Sequence, residues 1–137
     1  MKLNYLLDTN ICIYIAKHRP PEVGQRLAEL KAGEVGMSLI TFGELYYGAQ
    51  KSVQREKSLK KLWQIVSYIP VIAPSVETGE HYGMIRAFLE QAGTPIGNND
   101  LWIAAHARHL NVTLVTNNIR EFKRIPDLSV ENWVRNV

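Results

Sequence analysis

The sequence is poor in cysteine and in long apolar runs. Cys12 is the single cysteine among 137 residues, so an intramolecular disulfide is excluded, which suits a reducing compartment. No apolar run approaches the ~20 residues that a membrane-spanning helix needs. The apolar stretch after Met1 and Lys2 is too short for a signal peptide. These absences lead us to expect a cytoplasmic protein with no membrane partner.

Internal repeats, low-complexity tracts and linker-like segments are also missing from the sequence. Hydrophobic residues make up 46% of the chain and charged residues 21%, which is typical of a globular protein. A chain of this length can bury a substantial core. We therefore expect residues 1–137 to form one domain. Its formal net charge of +3 weakly favours an anionic partner.

Short apolar or β-branched runs alternate with helical patterns along the whole chain. This alternation predicts parallel strand pairing, right-handed crossovers and helices on both faces of the sheet. We expect a three-layer α/β/α sandwich around a central, mainly parallel sheet of four to five strands. The expected strands lie within residues 3–8, 35–38, 68–72, 112–116 and 128–133. The expected helices lie within residues 11–17, 22–32, 41–49, 53–68, 77–91 and 101–110.

Three acidic residues follow predicted strands or open predicted helices. Asp8 ends the first apolar run, Glu44 follows the second strand, and Asp100 precedes the alanine-rich helix. Each has a purely structural explanation. Asp8 is a good N-cap residue, Thr41 and Glu44 have capping-box spacing, and a charge such as Asp100 is favoured in a first helical turn.

The predicted fold brings these three positions to one edge of the sheet. Ligands bind outside the carboxyl ends of strands in open parallel sheets, and capping alone is a weaker explanation for three converging acids. Clustered carboxylates repel one another unless a cation neutralises them. Mg²⁺ or Mn²⁺ suits oxygen ligands of this kind, and such an ion supports hydrolysis of a phosphodiester.

The residues around these acids resemble the PIN-domain family, and more closely the VapC toxins of bacterial toxin–antitoxin pairs. The resemblance covers essentially the whole chain in order. Its segments are Leu-Leu-Asp-Thr-Asn at residues 6–10, Thr-Phe-Gly-Glu-Leu-Tyr-Tyr-Gly-Ala at 41–49, Pro-Ile-Gly-Asn-Asn-Asp-Leu-Trp-Ile-Ala-Ala at 95–105, and Thr-Asn-Asn, Arg-Glu-Phe and Arg-Ile-Pro within 116–126.

The resemblance implies a ribonuclease whose acids bind Mg²⁺ or Mn²⁺. By position, Asp8, Glu44 and Asp100 match the metal-binding acids of the family. Many PIN domains carry a fourth acid after the last long strand, where this chain has Asn118. Its amide oxygen remains a candidate ligand for water or metal. The residues expected to orient the carboxylates are Thr9, Asn10 and Thr116.

The resemblance also implies a biological role. A toxin of this kind cleaves structured RNA such as transfer RNA and so inhibits translation. The relatives that this chain resembles most lead us to expect initiator tRNA as the target. Hydrolysis would leave a 5′-phosphate and a 3′-hydroxyl. A VapB-like antitoxin would block the acidic pocket, and operator DNA would be bound only through that antitoxin. Homodimerisation is implied through the helices around residues 40–68.

Other functional classes fit the sequence less well. His106 and His109 are three residues apart on the helix that Asp100 opens, but we expect them farther along it than the acidic site. Chelation by EDTA separates the two hypotheses, because a histidine ribonuclease would survive it. A receiver-like phosphate-binding module would need an acidic doublet after the first strand, and a nucleotide-binding domain would need a Gly-rich loop with lysine. A catalytically silent PIN-like scaffold is disfavoured by the three intact acids.

Overall fold

The computed structural model describes residues 2–135, which form a five-stranded sheet flanked by helices. The sheet has the order β3-β2-β1-β4-β5, and every adjacent pair is parallel. This arrangement confirms the predicted α/β class. The strands are β1 (Tyr5–Leu7), β2 (Val35–Ser38), β3 (Val71–Ile72), β4 (Thr113–Val115) and β5 (Val130–Glu131).

Seven helices connect the strands within the described residues. They are α1 (Thr9–Lys17), α2 (Pro21–Ala28), α3 (Leu39–Gln50), α4 (Arg55–Val66), α5 (Val76–Gln91), α6 (Asn98–Leu110) and α7 (Ile119–Phe122). None of the helices in residues 2–135 has the length and apolar character needed to cross a bilayer.

Both faces of the sheet are covered, as the three-layer prediction requires. Leu6 and Leu7 are adjacent in β1, point to opposite faces and are both fully buried. Leu6 packs in a cluster that includes Ile85 of α5 and Ile103 of α6. Leu7 packs in a second cluster that includes Ile11 of α1. A strand buried on both sides is the signature of a parallel sheet between two helical layers.

The predicted element boundaries differ from the structure at several ends. The second helix ends at Ala28, four residues before the predicted end, and Gly33, which has a positive φ of 92°, lies in the turn before β2. The third strand is shorter than predicted, because Tyr68 still bonds to the carbonyl of Ile65 in a continuation of α4. The short helix α7 was not predicted.

Candidate active site

Asp8 lies directly after β1, at the carboxyl edge of the sheet. Its backbone N–H donates to the carbonyl of Val115 at the end of β4, with an N···O distance of 3.0 Å. Its carboxylate accepts from the backbone N–H of Ile11 at 2.9 Å and so caps α1. The capping explanation of Asp8 is therefore correct. The cap involves only one carboxylate oxygen, Oδ1, of a residue that is just 5% exposed.

The Asp8 carboxyl is in an unusual electrostatic environment. The pKa of this carboxyl is raised from 3.8 to about 6, mainly by burial and also by the nearby charges of Asp100 and Glu44. Hydrogen bonds from the Thr116 side chain and the Ile11 backbone oppose this rise. Asp8 therefore senses both of the other predicted acids, as expected if all three face one site.

Glu44 lies inside α3, and its carboxylate points across to α1. The Thr9 hydroxyl donates to Glu44 Oε1 at 2.6 Å and lies 3.3 Å from Thr41 Oγ1. The capping-box explanation of Thr41 and Glu44 is wrong, because α3 begins two residues earlier and is capped by Ser38, whose Oγ accepts from the Ile40 N–H. Glu44 is thus free of a capping role and is oriented by Thr9.

Asp100 occupies the first turn of α6 and is partly buried. The helix begins at Asn98, three residues earlier than predicted, with Gly97 as its N-cap. Burial is the largest cause that raises the pKa of the Asp100 carboxyl, and the charges of Glu121 and Glu44 also raise it. Asp100 is therefore linked electrostatically to the neighbouring acids of the site.

Glu121 is an acidic residue of this site that the sequence analysis missed. It lies on α7, where the Asn118 side-chain amide donates to Glu121 Oε2 at 2.6 Å. The Asn118 backbone N–H in turn donates to Thr116 Oγ1 at 2.9 Å. A fourth carboxylate thus follows β4, three residues later than expected. The capping-box spacing of Asn118 and Glu121 was the signal that could have revealed it.

The donor set of this site suits a hard cation. It consists of carboxylate, hydroxyl and amide oxygens, and Mg²⁺ is commonly held by one or two carboxylates while it keeps several waters. Within residues 2–135, no three histidine, cysteine or acidic side chains lie close enough together to hold a metal ion jointly. The arrangement fits an ion with few protein ligands and several waters.

The residues expected to orient the acids divide into two groups. Thr9 contacts Glu44, and Thr116 contacts both Asp8 and the backbone of Asn118. Asn10 is exposed on α1. Thr9 and Thr116 can therefore hold carboxylates in place, whereas the role predicted for Asn10 has no such contact behind it.

The two histidines of α6 have structural surroundings. His106 is fully buried, and its Nδ1 lies 2.8 Å from Ser38 Oγ, while His109 Nε2 lies 3.2 Å from Ser75 Oγ. Burial lowers the pKa of His106 from 6.5 to about 4, so its ring is neutral near pH 7. These contacts favour the interpretation of both residues as structural histidines.

Comparison with known proteins identifies the class that this fold and acidic edge define. The family model of the PIN domain matches residues 5–128, and the chain belongs to that family. It is similar to Ribonuclease VapC2 of Rickettsia felis, with 47% identity over 94% of this chain and 97% of the relative. It is also similar to the tRNA(fMet)-specific endonuclease VapC of Salmonella typhimurium, with 40% identity over 96% and 98%.

A solved structure shows the same similarity. VapBC2 from Rickettsia felis, bound to a DNA fragment from its promoter, contains a chain with a TM-score of 0.90 and 45% identity. The match covers 96% of this chain and all of that one. The predicted resemblance to VapC-type PIN domains is thereby confirmed.

Proposed function

We propose that this protein is a metal-dependent endoribonuclease of the VapC toxin type. The observation that supports it best is the electrostatic coupling of Asp8, Glu44 and Asp100 at one edge of the sheet, in a chain of the PIN-domain family. The names of its relatives, ribonuclease and endonuclease, support the same reaction class. Buried like charges are costly, and a bound divalent cation removes that cost.

Each residue of the site has a definable part in this reaction. Asp8 and Asp100 would hold Mg²⁺ or Mn²⁺, with Glu44 as a direct or water-mediated ligand. When bound, such an ion supplies an activated water and stabilises the charge that builds on the phosphate. Thr9 holds the Glu44 carboxylate in one orientation. In-line attack on the phosphorus would leave a 5′-phosphate and a 3′-hydroxyl.

The Asn118 amide has a supporting role in this proposal. It orients Glu121 through a short hydrogen bond, so the fourth negative charge is supplied without an acid at position 118. The amide oxygen of Asn118 remains available to bind a water or the metal. A neutral residue at this position is therefore compatible with a complete acidic site.

The proposed substrate is transfer RNA, and initiator tRNA in particular. A relative of 40% identity is named as a tRNA(fMet)-specific endonuclease. The formal net charge of +3 is favourable for a polyanionic substrate despite the acids in the site. Cleavage of initiator tRNA would inhibit translation.

Replacement of Asp100 by asparagine tests the reaction class. We expect this variant to lose at least about 100-fold in the rate of tRNA cleavage, because it removes a charge that positions the metal. Cleavage by the wild-type protein should also stop in EDTA and return with added Mg²⁺. The measurement is gel analysis of labelled initiator tRNA and of total tRNA after incubation with purified protein.

Asp127→Asn is the matched control for this experiment. Asp127 is exposed and has a positive φ of 61°, a conformation that asparagine tolerates well. This variant should cleave at the wild-type rate. Full cleavage by Asp100→Asn, or cleavage in EDTA, would contradict the proposed metal-dependent reaction.

We further propose an antitoxin partner of the VapB type. The similar structure from Rickettsia felis is a VapBC assembly with promoter DNA. In this chain, an apolar groove of 430 Å³ between α1, α3 and α4 ends at Thr9 and Glu44. A partner segment seated there would reach the acids and exclude substrate. Operator DNA would be contacted through that antitoxin.

Ala16→Arg tests the groove as the antitoxin site. Ala16 lines the groove without being fully buried, so a long charged side chain there should obstruct a partner and spare the fold. We expect the antitoxin encoded beside this gene to inhibit the variant at least about 10-fold less well than wild type. Ala92→Arg, at an exposed position after α5, is the control. Equal inhibition of both variants would place the partner elsewhere.

A further inference from the structure

A second cleft lies on the other side of Glu44, along the exposed face of α3. It has a volume of 660 Å³ and opens to solvent beside the acidic site. Glu44 and Thr9 belong to both the cleft and the acidic site, so the two are continuous. The residues that line the cleft are Thr9, Leu39, Ile40, Gly43, Glu44, Tyr47, Gly48, Lys51 and Asn99.

Two side chains of this cleft are suited to bind a nucleotide. Tyr47 is 65% exposed, although it is a large aromatic residue. The Lys51 ammonium lies 4.8 Å from the centre of the Tyr47 ring, which is a cation–π distance. Lysine therefore covers part of one ring face and leaves much of the aromatic surface open. Aromatic faces beside a cation are the usual platform for single-stranded RNA.

Two glycines of α3 leave open space beside Tyr47. A Cβ atom at Gly43 or Gly48 would meet nothing within 4 Å. Glycine inside a helix costs about 1 kcal/mol relative to alanine, so packing within this chain does not explain the choice. Both glycines line the same cleft as Tyr47. Because glycine has no side chain, the cleft is deeper at these two positions.

We propose that this cleft binds a nucleotide of the RNA next to the cleaved phosphodiester, with its base stacked on Tyr47 and a phosphate paired with Lys51. This proposal rests on the ribonuclease function proposed above. Seven residues, about 10 Å of helix, separate Glu44 from Lys51. A strand that enters the cleft thus extends to the acids. The cleft would hold the RNA in place and leave the chemistry to the carboxylates.

Charge favours RNA over a second copy of this chain as the occupant. Lys51 provides a cation directly beside a site made of carboxylates, and this pattern complements a chain of phosphates that needs one anchor outside the metal site. Dimerisation through residues 40–68 is the competing expectation, because Tyr47 falls in that range. The experiment must therefore record the oligomeric state together with RNA binding.

Equilibrium binding of fluorescently labelled total tRNA to the Asp100→Asn protein is the first measurement, because this background does not consume the probe. We expect Tyr47→Ala to weaken binding about 10-fold or more, which is the typical loss for one stacked base, and Tyr47→Phe to bind within about 2-fold of its parent. Lys51→Gln should weaken binding and lower the salt dependence by about one phosphate contact.

Matched controls come from the opposite edge of the sheet. Tyr68 is 47% exposed after α4, and Lys31 is exposed in the turn before β2. Tyr68→Ala and Lys31→Gln should bind tRNA like their parent. Circular dichroism of each variant verifies that the fold is retained. Tyr47→Ala and Lys51→Gln, made in the otherwise wild-type protein, should raise KM for tRNA with little change in the rate at saturation.

The outcomes separate this proposal from the nuclease proposal. If the wild-type protein does not cleave tRNA but Tyr47→Ala still weakens binding, the RNA-binding cleft is supported and the proposed nuclease activity is contradicted. If the wild-type protein cleaves tRNA and neither Tyr47→Ala nor Lys51→Gln alters binding or KM, the cleft proposal is overturned. Conversion of a dimer to a monomer by Tyr47→Ala, with unchanged tRNA binding, would assign the cleft to a second copy of this chain and also overturn it.

Discussion

The Asp8→Asn variant is expected to lose RNA cleavage and to gain stability. Loss of a carboxylate that holds the metal should reduce the cleavage rate by at least about 100-fold. The fold should survive, because asparagine retains a side-chain oxygen that can accept from the Ile11 N–H and is itself a preferred N-cap residue. This combination distinguishes a functional acid from a purely structural one.

The expected gain in stability follows from the direction of the Asp8 pKa. Burial and the neighbouring acids raise that pKa from 3.8 to about 6, so the folded protein takes up a proton more readily than the unfolded chain. At pH 7.5 the ionised carboxylate therefore opposes folding by up to about 3 kcal/mol. At pH 5 the folded form is mostly protonated, and the cost falls to about half that value.

Urea unfolding of wild type and Asp8→Asn at pH 7.5 and pH 5 measures this effect. The variant should be more stable at both pH values, with the larger difference at pH 7.5. Added Mg²⁺ should raise the unfolding midpoint of the wild type more than that of the variant, because binding to the folded state alone is stabilising. A less stable variant at pH 7.5 would show that Asp8 serves the fold and not a ligand.

Acid sensitivity of the fold is the second large effect, and it depends on His106. This ring is fully buried, bonds to Ser38 through Nδ1, and has no hydrogen-bond partner for Nε2 within the described residues. Burial lowers its pKa from 6.5 to about 4. Between about pH 6.5 and pH 4, the unfolded chain therefore binds a proton at His106 that the folded protein does not bind. Stability from the neutral ring is complete above pH 6.5 and is lost as the pH falls towards 4.

His106→Gln removes this proton linkage. When the pH falls from 7.5 to 5, protonation of His106 in the unfolded chain should lower the free energy of unfolding by about 2 kcal/mol. The His106→Gln variant should not show this loss. Asp8 acts in the opposite direction over the same range, so both changes are best compared in the Asp8→Asn background. The measurement is the free energy of unfolding in urea at the two pH values for the single and double variants.

His18→Asn serves as the control for the histidine experiment. His18 is exposed after α1 and has a positive φ of 57°, which asparagine accepts readily. This variant keeps His106, so the same urea measurement at both pH values compares removal of an exposed histidine with removal of the buried one. If His106→Gln retains the full acid sensitivity of its parent, another buried group must be responsible.

The candidate site shows where sequence reasoning succeeds and where it stops. Asp8 was found because a short apolar strand ends at an acid, and the end of a parallel strand has a known location in such a fold. Glu44 had an attractive local explanation, the capping box with Thr41, that proved wrong. The start of α3 depends on Ser38, the last residue of β2, which is buried against His106, and no local pattern predicts that contact.

Glu121 shows the reverse case. Position 118 is neutral, so comparison with the family pattern left the fourth acid missing. The structure supplies the charge from α7, one helical turn later, through the hydrogen bond from Asn118 to Glu121. Residues three apart in a helical turn are neighbours, so Glu121 can contact Asn118 because residues 119–122 form a helix. The contact could not be predicted without first predicting that helix.

Alternation of strands and helices determined the fold class and the edge where the acids meet, because a parallel sheet with helical crossovers places all strand ends on one side. The family resemblance followed from the same residues in order. Only the tertiary structure decided which side chains touch: Thr9 with Glu44, Asn118 with Glu121, and Lys51 over Tyr47. These contacts depend on helix starts and on the burial of each carboxylate, which arise from packing between distant segments and not from spacing along the chain.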